Sequence, residues 1–291
     1  MFIDLNIPIP ETFTRKPPTL KDWSQITRTI LEAKNLGYRV VALNQIIDGK
    51  FSDSVLQAWS NFPEIDGVTV SWLSKQGIKP GIENYSSPKK FTVLKRISLK
   101  ISDPSQNYSL TSNNATLNEY DIVAVIPDTE KAFSCACSGS FEAIDLISID
   151  MTCRIPFTLK LKPVSQAIQK GYFFELSYSE SIADSSIRKF WLSNSIALIS
   201  ATRAQNIVFT SAAKNYFDTR SPYDITNLFT LAGISASDSK QSLTESPRLC
   251  LIHSTNRRFT HKSVAIAECT LTPSEDMIAE GHQSKKVKLA K

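Results

Sequence analysis

The sequence predicts an α/β fold, a TIM-barrel-like β/α barrel with extra helices after the last strand and a disordered tail. Three observations carry that prediction. About seven short β-rich apolar runs recur along the 291 residues, helical patterns fill most of the gaps between them, and the length suits one barrel as a single domain. Strands that alternate with helices pair in parallel with both faces covered, and closure into a barrel removes the two open edges.

The runs are 2–7 (FIDLNI), 38–43 (YRVVAL), 93–101 (VLKRISLKI), 122–126 (IVAVI), 145–149 (DLISI), 172–176 (YFFEL) and 206–210 (NIVFT). A first helix is expected over 19–36, where Trp23, Ile26, Ile30 and Leu31 share a face and Gly37 ends it. Residues 105–119 and 185–203 are further helix candidates. Near the end, Ser221-Pro222-Tyr223-Asp224 places a capping serine, a proline at the first helical position and an acid at the third, and Gly233 stops the helix. Ser235 with Asp238, then Ser246 with Pro247, repeat the start signals and predict two more short helices ending near Arg257 and Arg258. The stretch 48–92, with Pro63, Pro80, Gly81 and Pro88, lacks periodicity and reads as an irregular insertion. The domain expected is 1–262, followed by a polar, disordered tail over 263–291.

Composition narrows the class. With 42% hydrophobic and 21% charged residues the chain reads as globular, and no apolar run approaches the roughly 18 residues that cross a bilayer. The start, Met1-Phe2-Ile3-Asp4, lacks the pattern of a signal peptide, so an intracellular, membrane-free protein is expected. The five cysteines, Cys135, Cys137, Cys153, Cys250 and Cys269, include no C-x-x-C pair and signal neither a disulfide framework nor a zinc site. No Gly-x-Gly-x-x-Gly, P-loop or solenoid repeat is present. The net charge of +5 is unevenly spread: residues 1–149 hold 15 basic and 16 acidic groups, residues 150–262 hold 14 and 8, and the tail 4 and 4. A basic surplus in one half suits a polyanionic partner, although solvated helix faces produce the same count.

Chemistry in a β/α barrel sits at the C-terminal ends of the strands. There the sequence offers Asn6 and Pro8, Asn44, Asp128, Asp150, Ser177 with Tyr178, and Ser211, which are hydrogen-bonding groups rather than a ligand or nucleophile set. Asp128 and Asp150 read as helix-start or loop acids. The only histidines, His253, His261 and His282, come late in the chain, so several imidazoles at the strand ends cannot be assembled. His253 and His261 read as structural or RNA-contacting rather than metal-ligating.

The opening Asp4-Leu5-Asn6-Ile7-Pro8, with 150–157 (DMTCRIPF), 171–184 (GYFFELSYSESIAD) and 221–233 (SPYDITNLFTLAG), resembles the β/α-barrel protein subunit of eukaryotic nuclear ribonuclease P and ribonuclease MRP over residues 1–262. That PHP-like barrel is similar to the polymerase and histidinol phosphatase metallohydrolases, whose first strand ends in a metal-binding Asp-x-His-x-His. The matching positions here are Asp4, Asn6 and Pro8, so the resemblance implies a vestigial site without a metal centre. It further implies a non-catalytic, RNA-binding and scaffolding subunit that binds no cofactor itself. Catalysis then belongs to the RNA with its own magnesium. The implied partners are the ribonuclease P and MRP RNAs, a small ferredoxin-like protein subunit and other proteins of the particle, with precursor tRNA met indirectly. The implied processes are removal of 5′ leaders from precursor tRNA and pre-rRNA processing, in the nucleus and nucleolus. The insertion at 48–92 and the tail depart most from the family pattern.

Under that reading the RNA-contacting candidates are Arg154, Arg188, Lys189, Arg203, Lys214, Arg220, Arg257, Arg258 and Lys262, because cations that neutralise phosphate supply much of RNA affinity. A solvated charge or local ion pair is the alternative for each. Tyr178 and Tyr223 are candidates for base stacking or for rim anchors. In the tail, Lys285, Lys286 and Lys288 match a short nuclear-import pattern. The competing functions are a metal-dependent phosphoesterase of the same barrel superfamily and a scaffold that touches only protein.

Overall fold

The computed structural model describes residues 1–49, 51, 58–72, 91–106, 110–111 and 114–259. The tail, with His261, Lys262, His282, Lys285, Lys286 and Lys288, lies outside the described residues, as do 52–57 and 73–90 of the expected insertion. The compact unit is Met1–Phe259, three residues shorter than the domain read from sequence.

The seven expected strands form, within two residues of their predicted bounds except for β2, which runs five residues further: β1 (Phe2–Pro8), β2 (Tyr38–Asp48), β4 (Phe91–Ile101), β5 (Ile122–Pro127), β6 (Leu146–Ser148), β7 (Phe173–Ser177) and β8 (Ile207–Thr210). They pair in parallel in that order. An unpredicted strand, β3 (Val68–Val70), pairs with Phe91–Val93 of β4, below the stretch Arg96–Ile101 that pairs with β5. The barrel is nearly closed. Between its first and last strands the seam is bridged by the N–H of Ser211 donating to Asp4 Oδ1 at 3.0 Å and that of Ala212 donating to the Asn6 carbonyl at 2.9 Å.

Helices α1 (Thr12–Arg15) and α2 (Trp23–Asn35) follow β1, and α2 buries Trp23, Ile26 and Ile30 as the periodicity predicts, with Ala33 beside them. Leu31, assigned to that apolar face, is 38% exposed instead. The expected helix over 105–119 is not continuous: a 3-10 turn at Pro104–Gln106 and a short α3 (Ala115–Asn118) occupy its described ends. Helices α4 (Glu130–Ser138) and α5 (Leu161–Gln169) were missed by the sequence reading. After β7 come α6 (Ser179–Ala183) and α7 (Ser185–Thr202), and after β8 comes α8 (Pro222–Thr230), where Ser221 Oγ accepts from the Asp224 N–H as expected.

The largest correction concerns the end of the unit. Two short helices were expected, but one 24-residue helix, α9 (Ala236–Phe259), runs through Pro247. A proline inside a helix removes one hydrogen bond and costs about 3 kcal/mol in isolation. Here the spacing Leu243, Pro247, Cys250, Leu251, Ser254 keeps one face buried on both sides of the proline, and that burial outweighs the local defect. Cys250 and Leu251 pack with Ile3, Leu5, Val40, Ala42, Leu94, Ile122, Ala124, Leu146, Phe173 and Val208, the inward residues near the strand starts. The helix therefore plugs the N-terminal end of the barrel.

The segment read as an irregular insertion contributes to the core. Trp59, Phe62 and Trp72 stack edge to face, with ring centroids 4.9 Å apart for Trp59–Trp72 and 5.2 Å for Phe62–Trp72, and Trp23 of α2 joins them at 4.9 Å. Lys95 of β4 lies 5.3 Å over the Trp59 ring and 4.9 Å over Tyr120. Burial of that amine pushes its pKa down to about 8.

Candidate functional site

Above the apolar plug the barrel interior turns polar. Arg96 sits in the middle of β4 and Glu175 in the middle of β7, both wholly buried, and they pair end-on. Nη1 donates to Glu175 Oε1 at 2.7 Å and Nη2 to Oε2 at 2.6 Å. Nη1 also donates to the Leu5 carbonyl at 2.7 Å, and Nε to Ser98 Oγ at 3.2 Å. Glu175 Oε1 further accepts from Thr210 Oγ1 at 2.7 Å and from Asn6 Nδ2 at 2.9 Å, while Asn6 Oδ1 accepts from Asn44 Nδ2 at 2.8 Å. Burial alone drives the Glu175 carboxyl upward, but the Arg96 charge and hydrogen bonds, helped by Ser148 and Thr210, outweigh it and leave its pKa lowered. A buried ion pair of this kind is stable only when its remaining donors and acceptors are satisfied, and this one is richly bonded.

Asp4 lies beside this network at the seam, 1% exposed. Its Oδ1 accepts from the N–H groups of Asn6 and Ser211 at 3.1 and 3.0 Å, and its Oδ2 is buried without a partner among the described residues. Burial raises its pKa to about 6 against the hydrogen bonds from Ser211 and Asn6, with the Glu175 charge adding to the rise. Two of the three positions matched to the metal-binding pattern, Asp4 and Asn6, thus do structural work. Asp4 staples the seam, the Asn6 amide links Asn44 to Glu175, and Pro8 offers no side-chain donor atom. These residues do not fit a metal centre, because the Glu175 carboxylate is engaged at both oxygens by a guanidinium and Asp4 has neither an imidazole nor a second free carboxylate beside it among the described residues. Among the described residues no three histidines, cysteines or carboxylates are grouped to hold a metal ion.

The other strand-end groups are local. Asp128 Oδ2 meets Lys100 Nζ at 3.4 Å and Ser102 Oγ at 3.2 Å, just ahead of Thr129, whose side chain caps α4. Asp150 Oδ1 accepts from the N–H and hydroxyl of Thr152 at 2.8 and 2.6 Å, closing a turn. Tyr178 is 1% exposed and its hydroxyl accepts from the Arg220 N–H at 3.1 Å, so it anchors the wall and is not open to a base.

The cationic candidates divide into three sets. Arg154, Arg188, Lys189, Arg203 and Arg220 are exposed. Asn194 of α7 donates to the Cys153 carbonyl at 2.7 Å, which ties the Arg154 loop to the helix carrying Arg188 and Lys189. Lys214 is 70% exposed but pairs with Glu180 at 2.7 Å across a cleft that also holds Asp184 and Asp218. Arg257 and Arg258 are corrections: both face inward. The Arg257 guanidinium is 3% exposed and grips Asp145, itself fully buried, through Nη2 at 3.0 Å and Nε at 3.1 Å. Arg258 pairs with Asp121 and donates to the Asn118 carbonyl at 3.0 Å. His253 completes the clamp, with Nδ1 3.0 Å from Asp145 Oδ1. Burial pushes the Asp145 carboxyl up, yet Arg257 and His253 together hold it below its ordinary value.

Sequence reasoning missed Arg96, Glu175, Asp121 and Asp145. A signal was present: a charged residue within or at the start of an otherwise apolar parallel strand must meet a partner inside the fold.

A family model described as RNase P subunit p30 matches residues 1–259. A mouse ribonuclease P protein subunit p30 is 34% identical over 226 residues, covering 78% of this chain and 79% of the mouse protein. A probable ribonuclease P protein subunit 3 of Schizosaccharomyces pombe is 30% identical over 264 residues, 91% of this chain and 98% of that one. A ribonuclease P/MRP protein subunit of Saccharomyces cerevisiae is 24% identical over 266 residues, 91% of this chain and 85% of that one. Among solved structures, a chain in the cryo-EM structure of archaeal ribonuclease P with mature tRNA superposes with a TM-score of 0.58 at 16% identity, covering 92% of this chain and 99% of that chain.

Proposed function

The chain belongs to the RNase P subunit p30 family, and from that premise we propose that it is a non-catalytic, RNA-binding and scaffolding subunit of both ribonuclease P and ribonuclease MRP. In this role it supports removal of 5′ leaders from precursor tRNA and the processing of pre-rRNA. The observation that carries the non-catalytic part is the Arg96–Glu175 pair with Asn6 and Asn44 bonded around it. A barrel whose inward carboxylate is neutralised by a resident guanidinium, and whose seam acid is held at one oxygen by two backbone N–H groups, has most of these polar groups committed to holding itself together. Magnesium-dependent cleavage then falls to the particle's RNA. The exposed arginines and Lys189 supply the RNA-facing charge, and a small ferredoxin-like protein subunit is among the protein neighbours. The lysines at 285, 286 and 288 direct the chain to the nucleus and nucleolus.

Depletion tests the function. Cells that lose this chain should accumulate tRNA precursors retaining their 5′ leaders, together with pre-rRNA uncut at the ribonuclease MRP sites. Normal 5′ maturation after full depletion would refute the assignment.

A further inference from the structure

The strip from Tyr216 to Tyr223 combines features that the barrel does not need. Its backbone is held firmly: the Tyr38 hydroxyl donates to the Arg220 carbonyl at 3.1 Å, the Arg220 N–H donates to the Tyr178 hydroxyl at 3.1 Å, and both tyrosines are buried. The 3-10 turn Tyr216–Asp218 carries a capping box with Asn215 and is fastened to α2 by Gln25. On this fixed strip the large rings face solvent. Phe217 is 70% exposed, with Tyr216 tilted against it at 4.0 Å, and Tyr223 is 64% exposed, meeting Phe2 only edge-on at 5.5 Å. Between the rings stands the exposed Arg220, and Arg28 lies one turn beyond Gln25 on α2. Neither arginine has an ion-pair partner among the described residues. The nearby acids are turned to their own helix starts, Asp218 to the Asn215 N–H at 3.2 Å and Asp224 to the Ser221 hydroxyl at 2.9 Å.

We propose that this strip binds a short single-stranded RNA segment, with bases stacked on Phe217 and Tyr223 and phosphates met by Arg220 and Arg28. The inference rests on the RNA-binding role proposed above and gives it a surface and a ligand class. The rings are set apart by the polar stretch Asp218–Ser221, with Thr219 and Ser221 in extended backbone. Phe217 to Tyr223 therefore spans at most about 20 Å, the scale of a few nucleotides. Separate flat rings with a guanidinium between them suit unstacked bases, whereas a protein partner is better met by one contiguous apolar patch. Because the acids offset much of the local positive charge, stacking rather than phosphate contact should dominate affinity.

The test uses the full-length chain, a 12-nucleotide oligouridylate and a duplex RNA of equal length, read by fluorescence anisotropy at several salt concentrations. Single-stranded RNA should bind better than the duplex. Phe217→Ala and Tyr223→Ala should each weaken it by about 5- to 100-fold, the range for losing one stacked ring. Phe217→Trp should restore binding, which a merely structural role would not require, and Arg220→Ala should lower the slope of log K against log salt by about 0.7. Phe217→Ala should leave the melting temperature unchanged, since its ring is mostly in water. Wild-type affinity in both alanine variants overturns the proposal. So does a Phe217→Ala particle that keeps its RNA but sheds a protein subunit. Either result leaves the subunit assignment standing, since that fails only if depletion spares 5′ processing.

Discussion

Replacing Arg257 by alanine separates two readings of the same residue. From the sequence, adjacent arginines at the end of a basic half read as phosphate contacts, and removing Arg257 with Arg258 would lower the salt slope of RNA binding by roughly one to two units. The structure assigns Arg257 a different duty. Its guanidinium is 3% exposed, Asp145 is fully buried, and Asn118 and Tyr120 also receive its N–H groups at 3.3 and 3.4 Å. Arg257→Ala leaves Asp145 with only His253 and the Val123 N–H, and an uncompensated buried charge costs about 3–5 kcal/mol. Over the 259 residues of the compact unit, an unfolding entropy of about 2.1 cal/mol/K per residue gives about 0.5 kcal/mol/K. A loss of about 4 kcal/mol thus lowers the melting temperature by about 7 °C. Calorimetry should show that drop, while the salt slope of RNA binding stays at the wild-type value below the transition. Arg257→Met with Asp145→Asn should recover part of the loss, because removing both charges costs less than stranding one. An unchanged melting temperature together with a salt slope reduced by about one unit would refute the reasoning.

Asp4→Asn tests the seam. With a folded pKa of about 6 against an ordinary 3.8, the native state binds more protons, so the Asp4 contribution is full below pH 3.8 and is lost as pH rises through 6, about 3 kcal/mol in all. The asparagine variant should lose this slope and gain about 1–2 kcal/mol at pH 8, once the unpartnered amide N–H is subtracted; an unaltered slope in pH-dependent urea unfolding would contradict the assignment. The purified chain should turn over neither phosphomonoesters nor RNA with added Mg²⁺, Mn²⁺ or Zn²⁺, and metal-stimulated hydrolysis abolished by Asp4→Ala would reverse that view. Deleting residues 284–291 should leave the melting temperature unchanged and reduce nuclear accumulation of a fluorescent fusion; undiminished nuclear signal would assign import to a partner.

Much of the barrel was legible because its signals are local. β-branched apolar runs such as IVAVI carry a strand preference in their own composition, and Ser221-Pro222 starts a helix through groups that are neighbours in sequence. What escaped depends on distant residues. Ser246-Pro247 reads as a helix start, and only the barrel interior facing Leu243, Cys250 and Leu251 makes the chain continue through it. The α4 helix turns small residues inward, Ala132, Ala136 and Cys137 beside Phe133, a weak periodic signal despite the cap at Thr129 and the left-handed Gly139 at φ 75° that ends it. Arg257 and Asp145 are 112 positions apart, so no window of sequence pairs them. Asp4, Asn6 and Pro8 were readable as residues, but the bonding of Asp4 to Ser211 and of Asn6 to Asn44 and Glu175 was not.

The plug helix also sets when this protein becomes complete during synthesis. Strands from Phe2 to Thr210 emerge first, yet the inward residues at their starts meet Cys250 and Leu251 only after α9 has followed. At about 5–20 residues per second, the interval between Thr210 and Phe259 lasts roughly 2–10 s. Each nascent chain therefore carries an unstoppered, apolar barrel floor for seconds. Truncations that end before Cys250 keep that floor open permanently, which makes the last helix the point at which a chain passes from a chaperone client to a finished subunit.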